Sequence, residues 1–445
     1  MKTSIHDSGS KFKEIIIQKL KTNSAIIGVI GMGYVGLPLS LSFAEKKFSV
    51  IGFDIDNKKI DSLNSGKSYI HHIKTNRIQN CVNKNLLKAS SDFRIISEID
   101  CIIICVPTPL NDHREPDLSY ITTTLNSIAP YLRKSQILSL ESTTYPGTTE
   151  EIIKPIVERS GLTIGEDFFV VYSPEREDPG NDNFNNKNTP KVMGGITNNC
   201  RHVGNFLYSQ IFIDVVEVSS TRAAEMTKLL ENIYRSVNIG LVNELKELAE
   251  KLDIDIYEVI RAASTKPFGF TPYYPGPGLG GHCLPIDPFF LTWKAKQFNI
   301  NTRFIELAGE INKAMPKYVV DKTNDALNQI GKPISNSRIL ILGISYKKNI
   351  DDMRESPAVE IMEILRNKSA DIQYSDPFFD KFPNIRKYYF NLNSVKLNEI
   401  NLRSFDVTIL ITDHDSFDYY AIRNYSNLLI DTRGRFQPSE NIIRA

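Results

Sequence analysis

Short, nearly continuous apolar runs alternate along this chain with longer stretches in which apolar residues recur every three or four positions. The run 25–30 (AIIGVI) is too short for a helix and reads as a buried strand. It leads into GMGYVG and then a helical pattern from about Leu37 to Lys46. A second apolar run, 49–53, ends in Asp54 and completes a βαβ unit. Further strands are predicted at 101–106 (CIIICV), 136–140 and 168–171, separated by helical or loop segments. Strands with no polar face, alternating with helices, predict a parallel sheet covered on both sides.

From Thr221 to Leu252 the punctuation stops, and one amphipathic helix runs the whole way, a connector with the length to serve as an oligomer interface. More helix is expected at 257–263 and from Trp293 to about Ile330. After Gly331-Lys332-Pro333 the alternation returns, with strands at 338–342, 371–375, 405–411 and 427–430 and a helix at 357–367. The strand 371–375 runs into Asp376 much as 49–53 runs into Asp54. The fold class is α/β: two Rossmann-like, doubly wound parallel-sheet domains joined by a long central helix and a helical dimerisation domain. The expected boundaries are 1–218, 219–330 and 331–445. The second α/β domain has lost the glycine fingerprint that follows the first strand of the first, so it is expected to bind something other than a dinucleotide.

Length and composition agree with several domains in a soluble globular chain: 445 residues, 41% hydrophobic and 24% charged. A net charge of +1 gives no reason to expect nucleic acid or an anionic membrane as partner. The five cysteines, Cys81, Cys101, Cys105, Cys200 and Cys283, are odd in number and show no CxxC spacing. That argues against a disulfide framework or a zinc site and fits a reducing, cytoplasmic setting. No apolar run approaches the ~20 residues of a membrane span. The first twenty residues lack an apolar secretory region and read as a short leader helix.

The candidate chemistry sits at strand ends. Gly31, Gly33 and Gly36, with Met32, Tyr34 and Val35 between them, form GxGxxG after a strand and at the head of a helix. Such glycines permit a tight turn, close approach of a pyrophosphate and helix–strand packing. Asp54, at the end of the next strand, is placed to accept from both ribose hydroxyls and to repel a 2′-phosphate, which favours NAD over NADP. Lys58 and Lys59 lie near enough to soften that preference, or are solvated surface. Thr108 in VPTP, and Ser142, Thr143 and Thr144 in STTYPG, follow buried strands and serve either ligand binding or turn capping. Glu175, Arg176 and Glu177 crowd three charges at a strand end, which is a ligand-facing loop or a solvated one. Lys228, Asn232 and Arg235 fall at i, i+4 and i+7 of the long helix: a catalytic face, or its polar outer face. The charge-dense segment 346–356, with Lys347 and Arg354, suits phosphate recognition or is a surface charge run. Finally, PGPGLGGHCLPIDP (275–288) presents Cys283 after a series of glycines and prolines, with Asp287 four residues on. A thiol in such a loop is either a nucleophile or a buried structural residue.

The order GMGYVG, FDID, VPTP, ESTTYPGTT, YSPERE, AEMTKLLENIYR, GPGLGGHCLPIDP, YKKNIDDMRESPA resembles the nucleotide-sugar 6-dehydrogenases of the UDP-glucose/GDP-mannose dehydrogenase family, from about Ala25 to Gly434. The segment 262–274 (AASTKPFGFTPYY) is similar to the bacterial branch that acts on UDP-N-acetylglucosamine for surface polysaccharide. The resemblance implies an NAD-dependent, four-electron oxidation of a sugar C6 alcohol. In it Cys283 is the nucleophile, Lys228 the acid/base or oxyanion-stabilising residue, and Asn232 lies beside it. Asp287 assists the thiol or a water, Thr143 positions the water, and Glu175 aids thioester hydrolysis. Arg354 contacts the cofactor; Lys347, Arg433, Gly280, Arg176, Arg235, Tyr273 and Tyr274 fall to the UDP-sugar. Arg261 is similar in place to an arginine that enters a neighbouring subunit's site, and a homodimer or higher homo-oligomer is implied.

Three stretches depart from the UDP-glucose enzymes. Gly280-Gly281-His282-Cys283 stands where they have Gly-Gly-Ser-Cys, Arg176-Glu177 where they have Phe-Leu, and Tyr274 where they have lysine. These loops favour a larger 2-acetamido sugar, with UDP-N-acetylgalactosamine, UDP-N-acetylmannosamine and UDP-glucose as alternatives to UDP-N-acetylglucosamine. Two readings outside this class stay open: a two-electron hydroxy-acid dehydrogenase and a non-catalytic NAD-binding redox sensor.

Overall fold

The computed structural model describes residues 10–70, 73–111, 113, 115–176, 188–281, 283–383 and 388–445. Glu177 and His282 lie outside them. The chain divides into two compact units, residues 1–231 with 296–298, and residues 232–295 with 299–445.

The first unit opens with the helix Lys11–Lys21, the expected leader helix. Its strands are β1 (Ile26–Ile30), β2 (Ser49–Phe53), β3 (Leu87–Ser90), β4 (Cys101–Ile104), β5 (Gln136–Leu140), β6 (Phe168–Tyr172), β7 (Lys191–Gly195) and β8 (Val215–Val218). They form one sheet in the order β3-β2-β1-β4-β5-β6-β7-β8. The first six follow the doubly wound dinucleotide-binding order, which reverses between β1 and β4. β4, β5 and β6 are buried along their length, and apolar clusters lie on both faces of the sheet. One join departs from the all-parallel expectation: β7 runs antiparallel to β6. The connecting residues, rich in Asn, Asp and Pro, carry no helical pattern, and an antiparallel join needs no crossover helix.

The second unit contains β9 (Arg338–Leu342), β10 (Asp371–Ser375), β11 (Val407–Leu410), β12 (Leu429–Asp431) and β13 (Ile442–Arg444). All pairings are parallel, in the order β10-β9-β11-β12-β13, and winding reverses between β9 and β11. Apolar clusters again cover both faces. The helix Thr221–Lys251 spans the expected length. The helix expected from Trp293 to about Ile330 is divided between two, Asp287–Lys296 and Arg303–Gln329. Between them Asn299 takes φ 58°, the left-handed conformation that ends helices. No helix among the described residues is long and apolar enough to cross a membrane.

Candidate functional site

In the first unit the three fingerprint glycines do three different jobs. Gly31 has φ +96°, and a Cβ there would lie 2.6 Å from the Cys105 carbonyl oxygen. A Cβ on Gly36 would sit 1.9 Å from the Gly31 oxygen, so only glycine lets this helix start against β1. Around Gly33 there is nothing within 4 Å, which is open room over a helix N-terminus for a pyrophosphate. Asp54 is buried at the end of β2, and its carboxylate accepts from the Met32 N–H (2.9 Å) and the Asp56 N–H (3.0 Å). Lys59 pairs with it at 3.1 Å, so this lysine braces the acid at the end of β2 rather than lying loose on the surface. Tyr34 and Val35 complete the turn into the helix. These residues fit NAD: a cradle free of Cβ atoms, with a fixed acid at the neighbouring strand end.

The loops after β4 and β5 are tied together. Thr108 donates its hydroxyl to the Thr143 carbonyl at 2.7 Å, and Ser142 donates to Val106 O at 2.6 Å. A third junction lies at Glu175. Its carboxylate accepts the Arg176 N–H (2.7 Å) and meets the Lys191 ammonium at 3.3 Å. Its carbonyl accepts from Lys228 Nζ at 2.6 Å. Arg176 bonds Pro190 O at 2.8 Å and pairs with Glu231 at 2.7 Å, so Glu175 and Arg176 are both partnered. Lys228 is buried, which removes it from the solvated outer face of its helix. Two residues that the sequence reading gave no role, Glu141 and Lys191, complete the cluster. Glu141, fully buried, bonds Lys191 Nζ at 2.6 Å and accepts the Tyr208 hydroxyl.

In the second unit the Cys283 carbonyl accepts the backbone N–H of Asp287 at 2.8 Å, which seats the cysteine one turn ahead of the helix Asp287–Lys296. Asp287 is buried and its carboxylate accepts from Asn232 Nδ2 at 2.6 Å. Cys283 itself is partly exposed and not in a disulfide. The glycines before it are set by their neighbours. Gly281 has φ +82°, and a Cβ there would lie 2.8 Å from the Tyr346 ring; a Cβ on Gly280 would lie 2.6 Å from the Tyr346 Cβ. Gly276 donates its N–H to the Asn243 side chain (2.9 Å), which in turn donates to Asn312 (2.9 Å). The cysteine loop is therefore fixed against the segment that carries Lys347 and Arg354.

That segment leaves β9 at the switch point of the second sheet, where ligands of such sheets bind. Arg354 there is paired with Asp352, with contacts of 2.8 and 3.0 Å. Lys347 lies half-buried in the same loop. Arg433, after β12, donates to Ile411 O at 2.7 Å, and burial lowers its pKa. The remaining candidates surround the long helix: Arg235 is exposed, Tyr273 packs edge-on to Tyr234 with centroids 5.9 Å apart, and Tyr274 stacks on Tyr257 at 6.4 Å. Arg261 lies 3.7 Å from Asp255 with half its side chain exposed. Among the described residues no group of three His, Cys, Asp or Glu side chains is arranged for a metal ion.

A dinucleotide cradle in one unit, and a thiol loop secured to the switch-point segment of a second nucleotide-type sheet in the other, together mark an NAD-dependent oxidoreductase of nucleotide-linked substrates. Models of the UDP-glucose/GDP-mannose dehydrogenase family match the chain in three stretches: the NAD binding domain over 25–212, the central domain over 222–314 and the UDP binding domain over 340–438. The chain belongs to this family and is an NAD-dependent nucleotide-sugar dehydrogenase. It is 34% identical over 393 residues to the UDP-N-acetyl-D-glucosamine 6-dehydrogenase of Salmonella typhi, covering 88% of this chain and 90% of that one. It is also 34% identical over 426 residues to the UDP-N-acetyl-D-mannosamine dehydrogenase of Escherichia coli K12, covering 92% and 99%. Among solved structures, the UDP-N-acetylmannosamine dehydrogenase of Pyrococcus horikoshii superposes with a TM-score of 0.84 at 31% identity, over 94% of this chain and 98% of that one.

Proposed function

We propose that the chain oxidises the C6 alcohol of a UDP-N-acetylhexosamine, UDP-N-acetylglucosamine first among them, to the uronic acid for surface-polysaccharide precursor synthesis. The observation that carries the chemistry is the seating of Cys283: one turn ahead of a helix, with Asp287 held buried by Asn232. The cradle of Gly31, Gly33 and Gly36 with Asp54 would hold NAD+, and two NAD+ in succession would supply the hydride acceptors for the two oxidations. Lys228, held by the Glu175 carbonyl, takes the C6 hydroxyl proton or stabilises the oxyanion, assisted by Asn232. Cys283 adds to the aldehyde as a thiohemiacetal, whose oxidation leaves a thioester. Thr143 and Glu175 then guide the water that releases the acid. Arg354 serves the cofactor. Lys347, Arg433, Gly280, Arg176, Arg235, Tyr273, Tyr274 and, from a neighbouring subunit, Arg261 serve the UDP-sugar.

The N-acetylhexosamine reading is supported by the names of the relatives and by the departures at Arg176 and Tyr274. In this reading residues 219–330 form a central helical domain and build a homodimer. Leu241, Leu245, Leu248 and Leu252 support it, because they stand exposed at i, i+4, i+7 and i+11 along one helix face. The test is NADH formation against a panel of UDP- and GDP-sugars, with product mass measured. Two NADH per sugar and a carboxylate from UDP-N-acetylglucosamine are expected. Preferential oxidation of another sugar reassigns the substrate. One NADH per sugar, or none, replaces the reading with the two-electron or sensor class.

A further inference from the structure

We propose that Lys191 and Glu141 are positioning residues that hold the Glu175 carboxylate in place and set the pH at which it accepts a proton. The inference rests on the reading of Glu175 as the residue that activates water.

Lys191 opens β7 and is 2% exposed. Its ammonium lies 2.6 Å from Glu141 and 3.3 Å from Glu175, over the rings of Tyr208 and Phe212 at 5.4 and 5.2 Å. Burial alone would drive such an ammonium neutral, but the carboxylates of Glu141 and Glu175 outweigh it and raise the pKa, so it stays charged. Glu141 has no route to a ligand: it is 2% exposed, with one oxygen on Lys191 and the other accepting from Tyr208, whose hydroxyl is also 2.6 Å from Ser139. It can act only through Lys191.

Glu175 is also faced by the Lys228 ammonium, on its carbonyl at 2.6 Å, and by the Cys105 thiol, which burial holds protonated; with these in place the charge count explains why two carboxylates flank Lys191. Lys191 facing Glu175 alone would hold that carboxylate ionised but depress its proton affinity by roughly 1–3 pKa units, leaving a weak base. Glu141, at the shorter distance, takes up most of that field. Glu175 then stays ionised and oriented while keeping the basicity that water activation needs. In the step it serves, water gives a proton to Glu175 as its oxygen bonds the acyl carbon. The carbon–sulfur bond breaks, and the acid and the Cys283 thiolate are released. A buried ion pair adds little stability over packed apolar residues, so a purely structural role gives no reason for three charges here.

The experiment measures the pH dependence of kcat and, by intact mass after acid quench, the acyl group on Cys283, using the full chain with NAD and the sugar it turns over. Lys191→Met is expected to move the acidic limb of the profile upward by about one unit or more, because the cation that favours ionised Glu175 is gone. It is also expected to slow turnover by roughly 10–100-fold near neutrality with acyl-enzyme accumulating, and to change the sugar KM by less than about threefold. Glu141→Gln is expected to move the limb the opposite way, and Lys191→Arg to restore most of the rate. Glu175→Gln separates the two levels. Wild-type turnover in that variant overturns the reading of Glu175. A blocked Glu175→Gln beside wild-type profiles in Lys191→Met and Glu141→Gln overturns the positioning role alone. Where Lys191→Met does not fold, the near-isosteric Glu141→Gln decides, and an unmoved limb refutes the inference.

Discussion

Lys246 is 5% exposed on the long helix, and among the described residues no hydrogen-bond acceptor meets its ammonium. Burial pushes its pKa down to about 7; Asp431, Glu250 and Glu247 oppose the shift, and Arg433 adds to it. The unfolded chain keeps this proton up to the ordinary lysine range, so between about pH 7 and pH 10 it binds more protons than the native state and stability rises with pH, by at most about 1.4 kcal/mol per unit. Below pH 7 the native state bears the full cost of charging the group. Lys246→Met is therefore expected to melt higher than wild type at about pH 6 and to lack the rise; parallel melting-temperature curves from about pH 6 to pH 9 would contradict this. The cysteine is the other single residue on which much turns. Cys283→Ser is expected to cut carboxylate formation by on the order of 10³-fold or more, since an alkoxide is a poor substitute for a thiolate in capturing the aldehyde. Undiminished acid by product mass would remove the thioester from the mechanism.

At the scale of elements, the glycines of the cysteine loop differ from glycines that merely turn the chain. Gly281 and Gly269 both have positive φ, but a Cβ on Gly281 strikes the Tyr346 ring while one on Gly269 meets nothing within 4 Å. Gly269→Ala is expected to cost about 1 kcal/mol, the conformational penalty alone, and Gly281→Ala about 2–4 kcal/mol with a raised KM. Equal midpoints in urea unfolding would show that Tyr346 yields freely. Burial also decides which elements the sequence makes legible. β1, β2, β9 and β10, and the helix Pro357–Asn367, lie where the sequence pattern places them; β1 and β9, buried over most of their length, leave nearly unbroken apolar stretches, whereas β10 (DIQYS) is legible by its place before Asp376. β3 (LKAS), β7 (KVMGG) and β8 (VVEV) are not legible: they carry charges or glycines and lie towards the sheet's edges. Of the functional candidates, the glycine cradle and Asp54 are legible from spacing, and Asn232 and Asp287 are each named by helix spacing or family motif, but the bond between those two is seen only in the fold. Glu141 and Lys191 are not legible, since they stand 50 positions apart and only the fold joins them across the sheet.

At the scale of the whole molecule, the two sheets share one device put to two uses. Gly31 and Gly343, both with positive φ, follow the first strand of each; the N–H of the next residue, Met32 or Ile344, bonds the acid ending the second strand, at 2.9 and 2.7 Å. Asp54 faces a cradle built for a dinucleotide. Asp376 instead contacts the Ser345 N–H and the buried His414 at 3.3 and 3.2 Å, and so serves as an internal strut. The second sheet keeps the architecture of a nucleotide fold without its ribose acid. The exposed leucine face of the long helix supplies the remaining prediction. Leu241→Glu with Leu248→Glu is expected to convert an assembled species to monomer in sedimentation velocity, with each chain still folded; an unchanged sedimentation coefficient would place the interface elsewhere.

Four of the five thiols are also held out of chemistry. Burial raises the pKa of Cys81, Cys101, Cys105 and Cys200, leaving each protonated at neutral pH, Cys105 included although it is partly exposed, as Cys283 is in its loop. The molecule therefore carries its own stoichiometric tag. A limiting pulse of an alkylating reagent should count working sites one for one, and bound UDP-sugar should protect them, so that the active fraction of any preparation can be read without a turnover assay.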